Sequence, residues 1–177
     1  MKLVIINGSP RAKGRTRIAT KFISNQYSGE LIDLSDGDIP LYNGTEGQTE
    51  LPAIKNLRKL VKEADGVVLA TPEYHNGMSG VLKNALDFLG SEHFANKPVA
   101  LLAVAGGGKG GINALNNMRI VGRGVYANVI PRQLVLDPQC FDYDGNTLLQ
   151  ESAKQVGALV DELKMYMSGY IAMKQHK

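Results

Sequence analysis

Leu3-Val4-Ile5-Ile6-Asn7-Gly8-Ser9-Pro10-Arg11-Ala12-Lys13-Gly14-Arg15-Thr16 opens this chain of 177 residues, and the order of residue types in it decides the fold. The apolar run reads as a buried strand, the glycine-punctuated stretch as a loop of phosphate size, and the pattern from residue 16 as a helix start. Gly8 and Gly14 permit backbone shapes that other residues resist. Ser9 and Thr16 bring hydroxyl donors, and Thr16 is placed to cap a helix whose free N–H groups and dipole favour an anion. Arg11, Lys13, Arg15 and Arg17 surround that point with positive charge. Taken singly, each residue suits an ordinary βα connection with solvated charges; taken together, they predict an anion site.

Outward from that turn, strands are expected near 2–7, 30–34, 66–71, 98–105 and 129–136, with helices near 16–27, 50–65, 79–90, 111–122 and 147–167. Runs such as Gly66-Val67-Val68-Leu69-Ala70 and Val99-Ala100-Leu101-Leu102-Ala103-Val104 are continuously apolar, as parallel strands covered on both faces require. In the last helix Leu149, Ala153, Val156, Val160, Leu163 and Met167 alternate at spacings of four and three, forming one stripe for core packing. The expected architecture is α/β: a doubly wound parallel sheet of five strands in the order 2-1-3-4-5, as one domain over residues 1–177. Such sheets bind ligands at the carboxyl ends of the strands where the winding reverses. The loops after the first and third strands border that point.

Composition narrows the function. No apolar run approaches the roughly 18 residues of a membrane span. The N-terminus passes into a strand and glycine loop instead of a signal-peptide cleavage site, so the expected location is the cytoplasm. Cys140 stands alone, which excludes an internal disulfide framework, and His75, His93 and His176 show no ligand spacing, so no metal centre is expected. The net charge of +3 is mild and densest in the first loop, which speaks against nucleic acid and for a small anion.

The loop after the third strand reads Thr71-Pro72-Glu73-Tyr74-His75-Asn76-Gly77-Met78-Ser79-Gly80 and leads into Val81-Leu82-Lys83-Asn84-Ala85-Leu86-Asp87, a helix with Ser79 as its expected cap. Gly-Ser-Pro-Arg with Gly14-Arg15-Thr16 downstream, then Thr-Pro-Glu-Tyr and Gly-Val-Leu-Lys-Asn-Ala-Leu-Asp, resembles the flavodoxin-like NADPH-dependent FMN reductases. Within them the chain is most similar to the bacterial FMN-dependent azobenzene reductases, over nearly its whole length. The resemblance implies a flavodoxin-like three-layer fold. It also implies that Ser9, Arg11, Gly14, Arg15 and Thr16 hold the FMN phosphate, and that Pro72, Glu73, Tyr74, His75 and Asn76 border the isoalloxazine ring and ribityl chain. A planar ring needs a flat wall and backbone N–H groups at its polar edge, and a tight turn with Pro, Asn and Gly supplies both. The chain departs from the family where His75 follows Tyr74, a position at which Asn is common.

The third loop, Ala105-Gly106-Gly107-Gly108-Lys109-Gly110-Gly111, contains Gly-x-Gly-x-x-Gly. The dinucleotide fingerprint belongs to a first βαβ unit and needs an acidic residue about 20 positions on. Asp137 lies too far, so no Rossmann site is expected. Under the resemblance, Gly106, Gly107 and Gly108 bring backbone N–H groups to the flavin's pyrimidine edge. Lys109 either adds positive charge there or is a solvated loop lysine. Two other patterns carry no function: Tyr170-x-x-x-Lys174, matching the catalytic pair of short-chain dehydrogenases, falls after the last predicted helix where termini fray, and Cys140, read as part of a strand-to-helix turn, lacks the anion loop of a cysteine phosphatase and sits among acidic residues.

The implied activity is hydride transfer from NADPH to FMN and two-electron reduction of azo compounds, quinones or flavins by a ping-pong route, with no amino-acid acid or base required. The resemblance further implies a homodimer or homotetramer. The competing reading is a flavodoxin-type one-electron carrier without pyridine-nucleotide turnover. Such carriers tend to be acidic, and this chain is basic. A third reading, a phosphate- or nucleotide-binding regulator, would use the first loop without redox chemistry.

Overall fold

Three strands without a polar face form the centre of the molecule. The computed structural model describes residues 1–108 and 110–175. β1 (Leu3–Asn7), β3 (Gly66–Pro72) and β4 (Pro98–Val104) are buried at every position, flanked by β2 (Glu30–Asp33) and β5 (Asn128–Leu136). The five strands are parallel in the order β2-β1-β3-β4-β5, as expected.

Alternation across the pleat explains the continuous apolar runs. Val4, Ile6, Val67, Leu69, Val99 and Leu101 enter one core layer, beneath α2 (Pro52–Glu63), α3 (Gly80–Asp87) and α5 (Ile112–Gly124). Leu3, Ile5, Val68, Ala70, Ala100 and Leu102 enter the other, beneath α1 (Arg15–Tyr27) and α6 (Gln150–Gln175). A short α4 (Ser91–Phe94) leads into β4.

Several boundaries differ from expectation. α6 runs on to Gln175, so Tyr170 and Lys174 lie within it, and Lys174 Nζ sits 5.0 Å over the Tyr170 ring and 3.6 Å from Asp65. Val156, Val160, Leu163 and Met167 of the predicted stripe are buried, but Leu149 precedes the helix and is exposed. Cys140 does not sit in a simple strand-to-helix turn. It ends a 3-10 turn and leads into an antiparallel hairpin of β6 (Phe141–Asp142) and β7 (Thr147–Leu148). β5 is interrupted: the partner of Val99 is Val129 and that of Leu101 is Gln133, so the chain bulges around Pro131, which has no N–H to give. Arg119 holds the bulge by donating to the Ile130 carbonyl at 3.1 Å and Gln133 Oε1 at 2.9 Å.

At the amino end of the sheet, Lys97 is 2% exposed and donates to the carbonyls of Val61 and Lys62, satisfying the end of α2. Desolvation lowers its pKa to about 8. Among the described residues, no helix is long and apolar enough to cross a membrane, and no cluster of His, Cys, Asp and Glu is arranged to hold a metal.

Candidate functional site

The loops after β1, β3 and β4 converge at the carboxyl ends of their strands. Between them lies a cleft of about 80 Å³ lined by Ser9, Arg11, Gly14, Arg15 and Thr16 from the first, Pro72, Glu73 and Tyr74 from the second, and Val104, Ala105 and Gly106 from the third. Nine of the fourteen predicted residues line it.

The first loop is shaped by buried hydrogen bonds. Asn7 donates to Asp33 Oδ1 at 2.7 Å and accepts from the Ser9 N–H at 3.3 Å, and Ser9 Oγ accepts from the Arg11 N–H at 3.1 Å. Burial pushes the Asp33 carboxyl up, but bonds from Ser35, Arg17 and Asn7 outweigh it and hold the group below its ordinary value. Arg17 is spent on this carboxylate at 2.5 Å, whereas Arg11 and Arg15 form no ion pair among the described residues. The Arg11 guanidinium lies 5.9 Å from the centre of the Tyr74 ring, so cation and aromatic wall share one mouth.

The two glycines serve differently from expectation. Neither Gly8 nor Gly14 has a left-handed backbone. Gly8 is needed for space: a Cβ there would stand 2.6 Å from the Ala70 carbonyl and 2.8 Å from Leu82 Cβ. Gly14, not Thr16, is the N-cap of α1, and among the described residues no side chain accepts from the first N–H groups of that helix. Thr16 is the second helical residue and is buried. With no acidic residue in its first turn, α1 leaves its N-terminal partial charge for an exogenous anion.

The second loop satisfies itself. Tyr74 and Gly77 exchange both backbone hydrogen bonds at 3.0 Å around His75 and Asn76, whose φ angles of 50° and 62° mark a type I′ turn. His75 and Asn76 form its exposed tip, outside the cleft wall, and Asn76 Oδ1 accepts from Asn113 at 3.4 Å. Ser79 caps α3 as expected, accepting from the Leu82 N–H at 3.1 Å, while its hydroxyl donates to the Gly8 carbonyl. The Thr71 hydroxyl oxygen accepts from the Ser79 N–H at 2.9 Å. First and second loops are thereby joined.

Glu73 reaches the third loop. Its carboxylate accepts from the Ala114 N–H at 3.0 Å, supplying the cap that Gly111, the N-cap of α5, lacks. In the third loop Gly107, Gly108 and Gly111 have φ of 124°, 74° and 94°, where only glycine is comfortable. Gly106 lines the cleft, Gly107 and Gly108 do not, and Lys109 lies outside the described residues. Sequence reasoning missed Val104 and Ala105 as walls; their position at the end of a core strand was the available signal.

A larger groove, about 530 Å³, lies at the other end of the sheet between Asn96, Asn128 and the α6 residues Met165, Tyr166, Tyr170 and Met173. It is chiefly apolar and gathers no convergent charge, so the smaller cleft is the stronger candidate. That cleft is well below the roughly 300–1,000 Å³ of drug-sized ligand sites. It suits a phosphate and the edge of a ring, with the remainder of a larger ligand outside it. Two cations, two hydroxyls and a helix N-terminus fit a phosphomonoester, while Tyr74 and the Val104–Gly106 backbone fit a planar group.

Comparison with known proteins gives the family. Residues 1–141 match the family described as NADPH-dependent FMN reductase. The chain is 60% identical over 176 residues to an NADPH azoreductase of Bacillus sp. (strain OY1-2), covering 99% of this chain and 97% of that protein. It is 29% identical over 184 residues to an FMN-dependent NADPH-azoreductase of Staphylococcus aureus (strain USA300), covering 95% and 96%. In three dimensions it is similar to FerB, a flavoenzyme NAD(P)H:(acceptor) oxidoreductase from Paracoccus denitrificans, with a TM-score of 0.79 at 22% identity over 96% of this chain and 98% of that one. The full-length relatives, the profile match over four fifths of the chain and the loops at the sheet's carboxyl end place this protein in the NADPH-dependent FMN reductase family.

Proposed function

We infer that the chain is one FMN-binding domain that oxidises NADPH and reduces small aromatic acceptors, azo compounds first among them and quinones and free flavins besides. The observation that carries this reading is the pairing, in one cleft, of Arg11 and Arg15, without ion-pair partners among the described residues, with the start of α1, opposite the Tyr74 wall. Ser9, Arg11, Gly14, Arg15 and Thr16 would hold the phosphate. Pro72, Glu73 and Tyr74 would border the ring and ribityl chain, with Gly106 toward its pyrimidine edge, while His75, Asn76, Gly107 and Gly108, outside the cleft wall, would meet only the part of the flavin that projects beyond it. Bound FMN supplies hydride acceptance and two-electron delivery.

The protein's own part is positioning. The self-satisfied Tyr74–Gly77 turn presents a wall that needs no reorganisation, and no side chain in the cleft is required as an acid or base. One open cleft mouth would admit donor and acceptor in turn, and the expected kinetics are ping-pong. A homodimer or homotetramer in the cytoplasm completes the proposal.

Anaerobic addition of NADPH to the purified yellow protein is expected to bleach the flavin absorbance in one phase. A quinone or azo dye should then restore it without a protein partner. Absence of bleaching by NADPH, with reoxidation only by a protein partner, would support the one-electron carrier instead.

A further inference from the structure

A second basic pocket adjoins the first. Its volume is about 430 Å³, within the range of nucleotide-sized sites. It lies between the outer face of α1 and the β6–β7 hairpin, and its walls include Lys13, Gly14, Arg17, Lys21, Tyr143 and Asn146. Gly14 lines this pocket and the flavin cleft alike, so a ligand seated here lies directly beside the cofactor's phosphate seat.

The charges in it are unequally committed. Arg17 is neutralised by Asp33. Lys13 and Lys21 have no carboxylate within ion-pair distance among the described residues. The hairpin's own acids stand nearby: Asp142 accepts from the Gly145 N–H at 3.0 Å, and Asp144 is exposed on the turn. Tyr143 is anchored by its hydroxyl, which donates to the Pro138 carbonyl at 3.2 Å, and by Phe141, with ring centroids 6.4 Å apart. A fixed aromatic ring, 59% exposed, beside two uncommitted ammonium groups matches a purine carrying a phosphate.

We propose that this pocket receives the adenosine 2′-phosphate end of NADPH, with Lys13 and Lys21 on the phosphate and Tyr143 against the adenine. The proposal rests on the reading of NADPH as donor and adds the place where NADPH is told from NADH. Arg11 and Arg15 remain with the flavin phosphate, and the donor's distal half lies on the other side of Gly14.

The test uses the FMN-loaded protein and adenosine 2′,5′-bisphosphate as probe, with adenosine 5′-monophosphate as control, followed by calorimetry. The bisphosphate should bind more tightly than the monophosphate. Lys21→Glu should weaken it about tenfold, one attraction being lost and a repulsion gained. Tyr143→Ala should weaken both nucleotides, and Lys21→Arg should restore the preference. In steady state, Lys21→Glu should raise KM for NADPH and leave that for NADH in place. Equal binding of the two nucleotides by the parent, unchanged binding in Lys21→Glu, or release of FMN on addition of the bisphosphate would overturn the proposal. If the parent reduces its flavin with NADPH while any of these holds, the donor assignment stands and only this pocket falls. A parent inert to NADPH would remove both.

Discussion

Helices α1 and α5 start alike and end up different. Each follows a glycine-rich loop at the carboxyl end of a central strand, and each has glycine as its N-cap, Gly14 in one and Gly111 in the other. At α5 the missing cap is supplied from 41 residues away, by Glu73 to the Ala114 N–H. No side chain performs that service at α1, and the cations beside it, Arg11 and Arg15, are without carboxylate partners among the described residues. One terminus is sealed by a distant carboxylate and the other, among the described residues, is not. Under the proposed function, an anion would stabilise at α1 what a carboxylate already stabilises at α5.

If tertiary contact builds the open terminus, disturbing that contact should cost most. Gly8→Ala puts a methyl 2.6 Å from the Ala70 carbonyl. It is expected to destabilise the protein by about 1–3 kcal/mol in urea unfolding and to abolish flavin retention, because backbone must move. Retained flavin with unchanged stability would show that the loop's shape does not depend on this approach.

Next in size, Arg11→Ala should weaken FMN binding by about 1.5–3 kcal/mol, read by quenching of flavin fluorescence, with little change in apoprotein stability. The parent should bind FMN better than riboflavin, and Arg11→Ala should narrow that gap. Equal affinity of the parent for the two would remove the phosphate from the account.

The sealed terminus should behave in the opposite way. Glu73→Ala is expected to cost about 1 kcal/mol of apoprotein stability through loss of the cap, and Glu73→Gln less, since an amide oxygen still accepts. Stability unchanged by Glu73→Ala would mean that α5 starts as open as α1.

The smallest effect is confined to acid. Asp33 holds its charge to lower pH in the folded protein than its ordinary value of 3.8. Its contribution is thus complete above that value and drains away as pH falls through the lower, folded value. Asp33→Asn should flatten the acid limb of the stability profile below about pH 4 and leave the neutral region's slope unchanged. An identical acid limb in the variant would exclude this network as a source of acid sensitivity.

The sheet was readable because burial on both faces leaves no exposed position in β1, β3 or β4 and keeps their runs apolar up to the carboxyl-end Asn7 and Thr71, and chain order then permits few topologies. Ser79 was readable because its cap is local. The hairpin at 141–148 was not, since two-residue strands carry too little periodicity. The bulge in β5 depends on Arg119, and the continuation of α6 to Gln175 includes contacts of Lys174 with Asp65. Those partners lie beyond any local window.

The same division holds at the site. The identities of Ser9, Arg11, Arg15 and Thr16, packed into one stretch after an apolar strand, already singled out a loop at the switch in winding, and the structure brings all four into one cleft. Folding decided which groups remain available. Arg17 is consumed by Asp33 and Glu73 by α5, His75 and Asn76 are carried to the outer tip of their turn, and Gly8 is kept free of a side chain by Ala70 and Leu82. Residue types and spacing are properties of neighbours in the chain, whereas the sparing or spending of a charge depends on partners 16 to 41 residues distant that meet only when the layers close.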